Sequence, residues 1–270
     1  MLNNDVPIPQ LGFGVFLVPP SETAPAVAKA LEAGYRLIDT AQGYENEQGV
    51  GEAISRSGVP REEIFITTKL VNGQHGYDRA LPAFDASMER LGIEVLDLFL
   101  IHWPLPMFDQ YVETWRALEQ LLADGRVRSI GVSNFEIEHL ERLANETDIT
   151  PALNQVELHP EFPQEELRAY HESHGILTES WGPLGQSRGL LDDARIVEMA
   201  EKKRRTPAQV VLRWHIQVGN VVIPKSVTPH RIRENIDIFD FELDETDMET
   251  FTELNVGRRL GPHPNEFDLV

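Results

Sequence analysis

One alternation repeats eight times along the chain and leaves few folds open to it. Short runs rich in β-branched and aromatic residues are separated by amphipathic helical stretches. The strand-like runs are "LGFGVF", "YRLID", "IFITTKL", "LDLFLIH", "VRSIGVS", "LNQVEL", "ILTESWG" and "VVIPKS". Helical periodicity covers residues 21–33, 47–57, 77–91, 109–124, 136–145, 164–174, 193–219 in two pieces, and 228–236. Several strands are apolar on both faces, as parallel strands covered by helices are. Eight strand–helix units in about 250 residues predict a (β/α)8 TIM barrel of the α/β class. A short N-terminal β segment is expected before it, and an extra C-terminal helix near residues 244–254 and a tail after it. An open doubly wound sheet is the competitor, and it usually carries a glycine-rich phosphate turn after its first strand. Here "GFG" at Gly12–Gly14 lacks the third glycine, and no GxxxxGK[ST] occurs. No Pro/Gly/Ser-rich linker divides the chain, so residues 1–270 are expected to form one domain.

Composition narrows the function. Hydrophobic residues make up 41%, enough to fill a core. There is no cysteine, which removes disulfides, zinc thiolates and thiol nucleophiles. The formal net charge of -20 repels phosphate backbones and acidic lipid surfaces, so neither nucleic acid nor membrane is an expected partner. The one basic run, Lys202–Arg205, is read as a helix C-terminus followed by a new N-cap at Thr206-Pro207. No secretory signal is visible, which points to the cytoplasm.

In a barrel, chemistry gathers where strands end. Those ends carry Asp39, Lys69, His102, Ser133-Asn134, Gln155, Trp181 and Lys225-Ser226. Each has a bland alternative. An Asp at a strand end caps a turn, a Lys is solvated, and a His beside Trp packs with one nitrogen satisfied. At matching ends of successive strands they form a set, and a buried unpaired polar group costs stability. Asp39 is expected to pair with Lys69, and Lys69 to lie close to Tyr44, with His102 beside them. Tyr has an ordinary pKa near 10, and a general acid works best near the operating pH. A nearby ammonium favours the phenolate, so Lys69 is expected to lower the Tyr44 pKa. The implied reaction is proton donation to an oxygen gaining negative charge, as when a carbonyl is reduced by hydride.

The chain resembles the aldo-keto reductase superfamily, in the bacterial group of 2,5-diketo-D-gluconate reductases. The resemblance rests on "GYRLIDTAQGYENEQGVGEAI", "LIHWP", "SIGVSNF", "NQVELHP", "ESWGPLG" and "VIPKSVTPHRIRENIDIFDFEL". It covers residues 9 to about 267, and the combined blocks are specific. It implies a catalytic tetrad of Asp39, Tyr44, Lys69 and His102, with Tyr44 the proton donor. It implies NADP(H), with Ser133, Asn134 and Gln155 on the nicotinamide carboxamide and Trp181 stacked on the ring. Lys225, Ser226 and Arg231 would surround the 2′-phosphate, and Glu234 and Asn235 would meet the adenine. The backbone at Leu184–Gln186 would follow the pyrophosphate. The implied substrate is a small carbonyl compound such as a diketo-sugar acid or methylglyoxal, and the implied state is a monomer.

Phe16, Trp103 and Trp181 would wall the substrate pocket. Val71 departs from the Trp that many relatives place there, which implies a wider or differently walled pocket. Arg258 and Arg259, in the tail, keep two roles open: meeting an anionic substrate, or standing solvated. His171 and His174 are read as surface histidines, and no metal site is expected. No Gly-x-Ser-x-Gly elbow supports a hydrolase, and no carboxylate-rich rim supports a metal-dependent lyase. An NADPH-dependent carbonyl reductase and a nucleotide-sensing regulatory barrel are the two function classes left. Tyr44 and Lys69 together favour the enzyme.

Overall fold

The computed structural model describes residues 1–269. Eight parallel strands follow one another in sequence order: β1 (Phe13–Gly14), β2 (Leu37–Asp39), β3 (Phe65–Leu70), β4 (Leu96–Ile101), β5 (Val127–Ser133), β6 (Leu153–Glu157), β7 (Leu177–Trp181) and β8 (Val221–Val222). The helices between and after them are α1 (Pro20–Glu32), α2 (Glu47–Arg56), α3 (Tyr77–Leu91), α4 (Tyr111–Ala123), α5 (Ile137–Glu146), α6 (Glu165–Ser173), α7 (Ala194–Lys203), α8 (Pro207–Gln217), α9 (Pro229–Ile236) and α10 (Glu245–Glu253). The two edges of the sheet meet. Leu11 bridges Val222 in parallel, the Gly12 amide donates to the Val222 carbonyl at 2.8 Å, and the Gly14 amide to the Pro224 carbonyl at 3.1 Å. This curled α/β architecture is consistent with a (β/α)8 barrel.

Two expectations change at the ends of the sheet. Residues 1–10 form no strand. Leu2 and Asp5 close a turn, with the Leu2 amide donating to the Val6 carbonyl at 3.0 Å, and Asn4 Nδ2 ties it to the Arg128 carbonyl at 2.9 Å. Leu2 is buried and plugs the lower end. The eighth strand stops at Val222, ahead of Lys225 and Ser226, because Pro224 has no amide to continue the ladder. The extra helix after the last unit is α10.

Side chains alternate across each strand. Ile38, Ile66, Phe99, Ile130 and Val156 face the helices and belong to the larger core cluster. Leu37, Phe65, Leu98, Leu100, Leu153, Val221 and Ile223 form a second cluster inside the curled sheet. Continuing upward in the same parity, these inner rows end in Asp39, Lys69, His102, Glu157 and Lys225. Thus the sheet has an apolar floor and a polar rim. Gly131 on β5 marks a close approach: a Cβ there would stand 2.6 Å from the Leu153 carbonyl oxygen and 2.8 Å from Leu100 Cδ2. No helix among the described residues is long and apolar enough to cross a membrane.

Candidate active site

Tyr44 is delivered by a short 3₁₀ turn, Gln42–Tyr44, that the sequence pins from two sides. Gln42 Nε2 donates to the Ala83 carbonyl and to Ser87 Oγ, both at 2.8 Å, while Gln42 Oε1 accepts from the Val71 amide at 2.9 Å. Asn46 Oδ1 accepts from Thr40 Oγ1 at 2.7 Å, and Asn46 Nδ2 donates to the carbonyls of Val15 and Val18. The turn therefore cannot shift without breaking side-chain bonds on both flanks.

Lys69 is fully buried and sits at the centre of the rim. Its Nζ donates to Asp39 Oδ1 at 2.7 Å, to Asp39 Oδ2 at 2.9 Å and to the Thr40 carbonyl at 2.9 Å. The Tyr44 hydroxyl lies 3.4 Å from the same nitrogen. Burial works against the ammonium, but Asp39, with Tyr44, outweighs it and holds Lys69 above its ordinary value. The Tyr44 ring meets His102 edge-on at 5.7 Å and Phe16 at 5.0 Å. Burial, with Lys69 and His75 adding, lowers His102 to about 3, so its imidazole is neutral at ordinary pH. The expected direction for Tyr44 is corrected. Burial raises the phenol above its ordinary 10.0, and the opposing pull of Lys69 does not overcome it. Tyr44 is thus a protonated donor whose conjugate base has a cation waiting beside it.

The strands to the right of this centre form one hydrogen-bonded chain. Asn134, held at φ 63°, donates to the His102 carbonyl at 2.9 Å and to Ser133 Oγ at 3.1 Å. Its Oδ1 accepts from Trp181 Nε1 at 2.8 Å. Ser133 Oγ donates to the Gln155 carbonyl at 2.9 Å. Gln155 Nε2 reaches two carboxylates, Asp39 Oδ2 and Glu179 Oε2, each at 2.8 Å. Sequence reasoning missed Glu179. It is fully buried, its Oε1 has no partner among the described residues, and burial, with Asp39 adding, raises it to about 8. The signal was an acid inside "ILTESWG", as anomalous as Asp39 in "YRLID".

Residues expected around a dinucleotide lie along the same rim. Lys225 and Arg231 are exposed and make no ion pair among the described residues; Arg231 stands in the first turn of α9. Ser226 is buried, and its Oγ accepts from the Thr228 amide at 3.1 Å. Leu184 and Gln186 flank Gly185 in an irregular turn closed by the Gly185 amide on the Gly182 carbonyl at 2.9 Å. Asn235 is buried, and Glu234 is occupied by the N-cap of α8, accepting from Thr206 Oγ1 at 2.9 Å. Arg231 in the first turn of α9, Lys225 in the loop before it, both unpaired among the described residues, and a Gln155 Oε1 with no donor among them suit an anionic ligand that ends in a carboxamide.

The tail from Gly257 folds over the rim. Glu157, at the end of β6, was also overlooked. Its Oε1 accepts from the Leu260 amide at 2.6 Å and its Oε2 from the Gly261 amide at 2.7 Å. Burial opposes the Glu157 charge, but these amides and His159 hold its carboxyl below the ordinary range. Gly261 lies against Trp181, so a Cβ there would approach the ring to 2.7 Å. Phe267 lies tilted against the buried Trp103, with ring centroids 4.2 Å apart, and Asn72 Nδ2 donates to the Leu269 carbonyl at 2.7 Å beside Val71. Both tail arginines are engaged: Arg258 pairs with Glu161 at 3.2 Å and Arg259 with Glu136 at 3.0 Å.

Two further expectations are settled by packing. Lys202 and Lys203 pair with Asp244 and Asp247, and Arg205 with Asp237 and Asp240, so three of the four cations of the basic run face neighbouring acids. His171 is not a surface residue. It is fully buried between Thr178 Oγ1 at 2.9 Å and Asn154 Nδ2 at 3.0 Å, while His174 is exposed and stacks on Tyr170.

Comparison with known proteins agrees with this geometry. The sequence pattern of the Aldo/keto reductase family matches residues 10–256. An aldo-keto reductase of Mycolicibacterium smegmatis is 56% identical over 269 residues, covering 100% of this chain and 98% of the relative. Methylglyoxal reductase DkgA of Escherichia coli K12 is 49% identical over 261 residues, covering 96% and 94%. A mutant of Gox0644 crystallised in complex with NADPH superposes with a TM-score of 0.95 at 51% identity, covering 98% of this chain and 97% of its own. The chain belongs to the aldo/keto reductase family.

Proposed function

We propose that the chain reduces the carbonyl group of a small aldehyde or ketone to an alcohol, using NADPH, on a single closed (β/α)8 barrel domain spanning residues 1–270. The observation that carries this reading is the position of Lys69 Nζ between the Asp39 carboxylate, at 2.7 Å, and the Tyr44 hydroxyl, at 3.4 Å. NADPH, when bound, supplies the hydride that reaches the carbonyl carbon. As the carbonyl oxygen gains charge, Tyr44 gives it the phenolic proton, and the O–H bond breaks toward the tyrosine oxygen. Lys69 stabilises the phenolate that forms, and solvent returns the proton afterwards. Asp39 keeps Lys69 charged and aimed. Neutral His102 orients the carbonyl oxygen by donating a hydrogen bond. Ser133, Asn134 and Gln155 would hold the carboxamide end, Trp181 would cover the ring, and Lys225, Ser226 and Arg231 would take the 2′-phosphate. Glu234 and Asn235 would border the adenine.

The substrate class favoured is a small uncharged dicarbonyl of the methylglyoxal kind. The kinship with DkgA supports it, and so does the tail, where Arg258 and Arg259 each already face a carboxylate that a sugar acid would have to displace. Comparing kcat/KM for methylglyoxal, diketo-sugar acids and aromatic aldehydes tests this, and a preference for the acids would reverse it. A regulatory barrel with incidental turnover has no observation in its favour. Single-turnover oxidation of bound NADPH by methylglyoxal separates the two, since a sensor shows binding with negligible oxidation.

A further inference from the structure

Gln155 lies in one register row with Ser133 on β5 and Glu179 on β7. Its side-chain amide has two N–H groups and one carbonyl. Both N–H groups are taken at 2.8 Å, one by Asp39 and one by Glu179. Oε1 receives no donor among the described residues. The opposite amide orientation would turn a carbonyl oxygen against the Asp39 carboxylate, acceptor against acceptor. We propose that Glu179 is a positioning residue: it holds Gln155 so that its carbonyl, and not its NH2, meets the N–H of a nicotinamide carboxamide.

Burial supports this division of labour. Glu179 is held up to about 8, so near pH 7 it is a neutral acid. In that form Oε2 accepts from Gln155 without setting a second full negative charge beside Asp39. Asp39 alone disfavours the flipped amide but fixes only one of its N–H groups, so the amide plane can still tilt about that bond and carry Oε1 out of line. The second acceptor, on the neighbouring strand, removes that tilt. A hydrophobe of equal size at position 179 would fill the same space and hold nothing.

This inference rests on the NADPH reading, and its test separates the two. Titrate NADP+ and its 3-acetylpyridine analogue, which replaces the carboxamide NH2 by a methyl group, into the intact protein by quenching of Trp fluorescence. Do the same with Glu179→Gln, which keeps an acceptor, and Glu179→Met, which keeps only volume. 2′-Phospho-ADP-ribose, which lacks the nicotinamide, is the control ligand. Wild type and Glu179→Gln are expected to prefer NADP+ over the analogue by about 3- to 10-fold, the worth of one neutral hydrogen bond. Glu179→Met is expected to lose that preference while binding 2′-phospho-ADP-ribose within about twofold of wild type. Should Glu179→Met not fold, Glu179→Ala takes its place. No binding of NADP+ or the control ligand to wild type would sink the NADPH reading. Binding without discrimination in wild type, or equal discrimination in the Met and Gln variants, would overturn the role of Glu179 alone.

Discussion

Lys69 Nζ touches both oxygens of Asp39, at 2.7 and 2.9 Å, and reaches the Tyr44 hydroxyl only at 3.4 Å. The cation is committed to the carboxylate, with the phenol oxygen at the edge of its hydrogen-bonding reach. Tyr44→Phe removes the proton donor and leaves the ring packing against Phe16 and His102 in place. General acid catalysis is worth about 10²–10⁴ in rate, so single-turnover reduction of an unactivated aldehyde should fall by that amount with NADPH affinity unchanged. Retention of more than about a tenth of the rate would assign the proton to another group.

Arg231 is an exposed cation at the start of α9, unpaired among the described residues, on a protein of net charge -20. Hydrogen bonds to charged groups contribute about 1.5–3 kcal/mol each. Arg231→Ala should therefore weaken NADPH by about 10- to 100-fold and NADH far less. Added salt should weaken NADPH binding to the wild type. Equal losses for the two cofactors would place Arg231 away from the 2′-phosphate.

Val71 stands beside the turn that carries Tyr44, and Asn72 next to it holds the tail at Leu269. Val71→Trp adds bulk where the tail crosses the rim. It should reorder substrates by about 1–3 kcal/mol in kcat/KM while leaving NADPH affinity within about twofold. Unchanged substrate ratios would remove Val71 from the pocket wall.

His102, His171 and His215 are each lowered to about 3 by burial. Their imidazoles are neutral in the folded chain and charge below about 6.5 in the unfolded one. Between those values the unfolded state binds more protons, so stability falls as pH falls from about 6.5 toward 3. Each contributes a slope of up to about 1.4 kcal/mol per pH unit. For His171 burial is the largest cause, with Arg168 and His174 adding. Its Nε2 lies 3.0 Å from Asn154 Nδ2 in a fully buried site. Urea midpoints should drop steeply between pH 6.5 and 4, and less steeply in His171→Gln. Identical slopes would mean that His171 does not contribute.

Most of this architecture could be read from residue patterns. The "IFITTKL" and "LDLFLIH" runs gave β3 and β4 to within a residue or two, because their inner positions alternate with outer ones without interruption. β1 and β8 proved shorter than their apolar runs. Pro224 ends the β8 ladder for want of an amide, and at β1 Leu11 pairs only as a separate bridge, neither of which hydrophobic pattern registers. Asp39, Lys69 and His102 stood out as polar groups at strand ends. Glu179 and Glu157 obeyed the same rule but lay beside more conspicuous neighbours. The direction of the Tyr44 shift, the burial of His171 and the pairing of the tail arginines depend on what surrounds each group. That is set by contacts distant in sequence.

The floor and rim inside the sheet bear on how the chain finds its alignment. On β3, Phe65, Thr67 and Lys69 are successive inward rungs of one strand. A one-residue slip would throw the inward set outward. A two-residue slip keeps the inward set inward, and pattern alone would tolerate it. Here it would carry the Lys69 ammonium down among leucines and part it from Asp39. An unpaired charge in that layer is far costlier than a few lost ladder bonds. The charged rim therefore acts as a register lock, making costly the alignments that hydrophobicity by itself would accept.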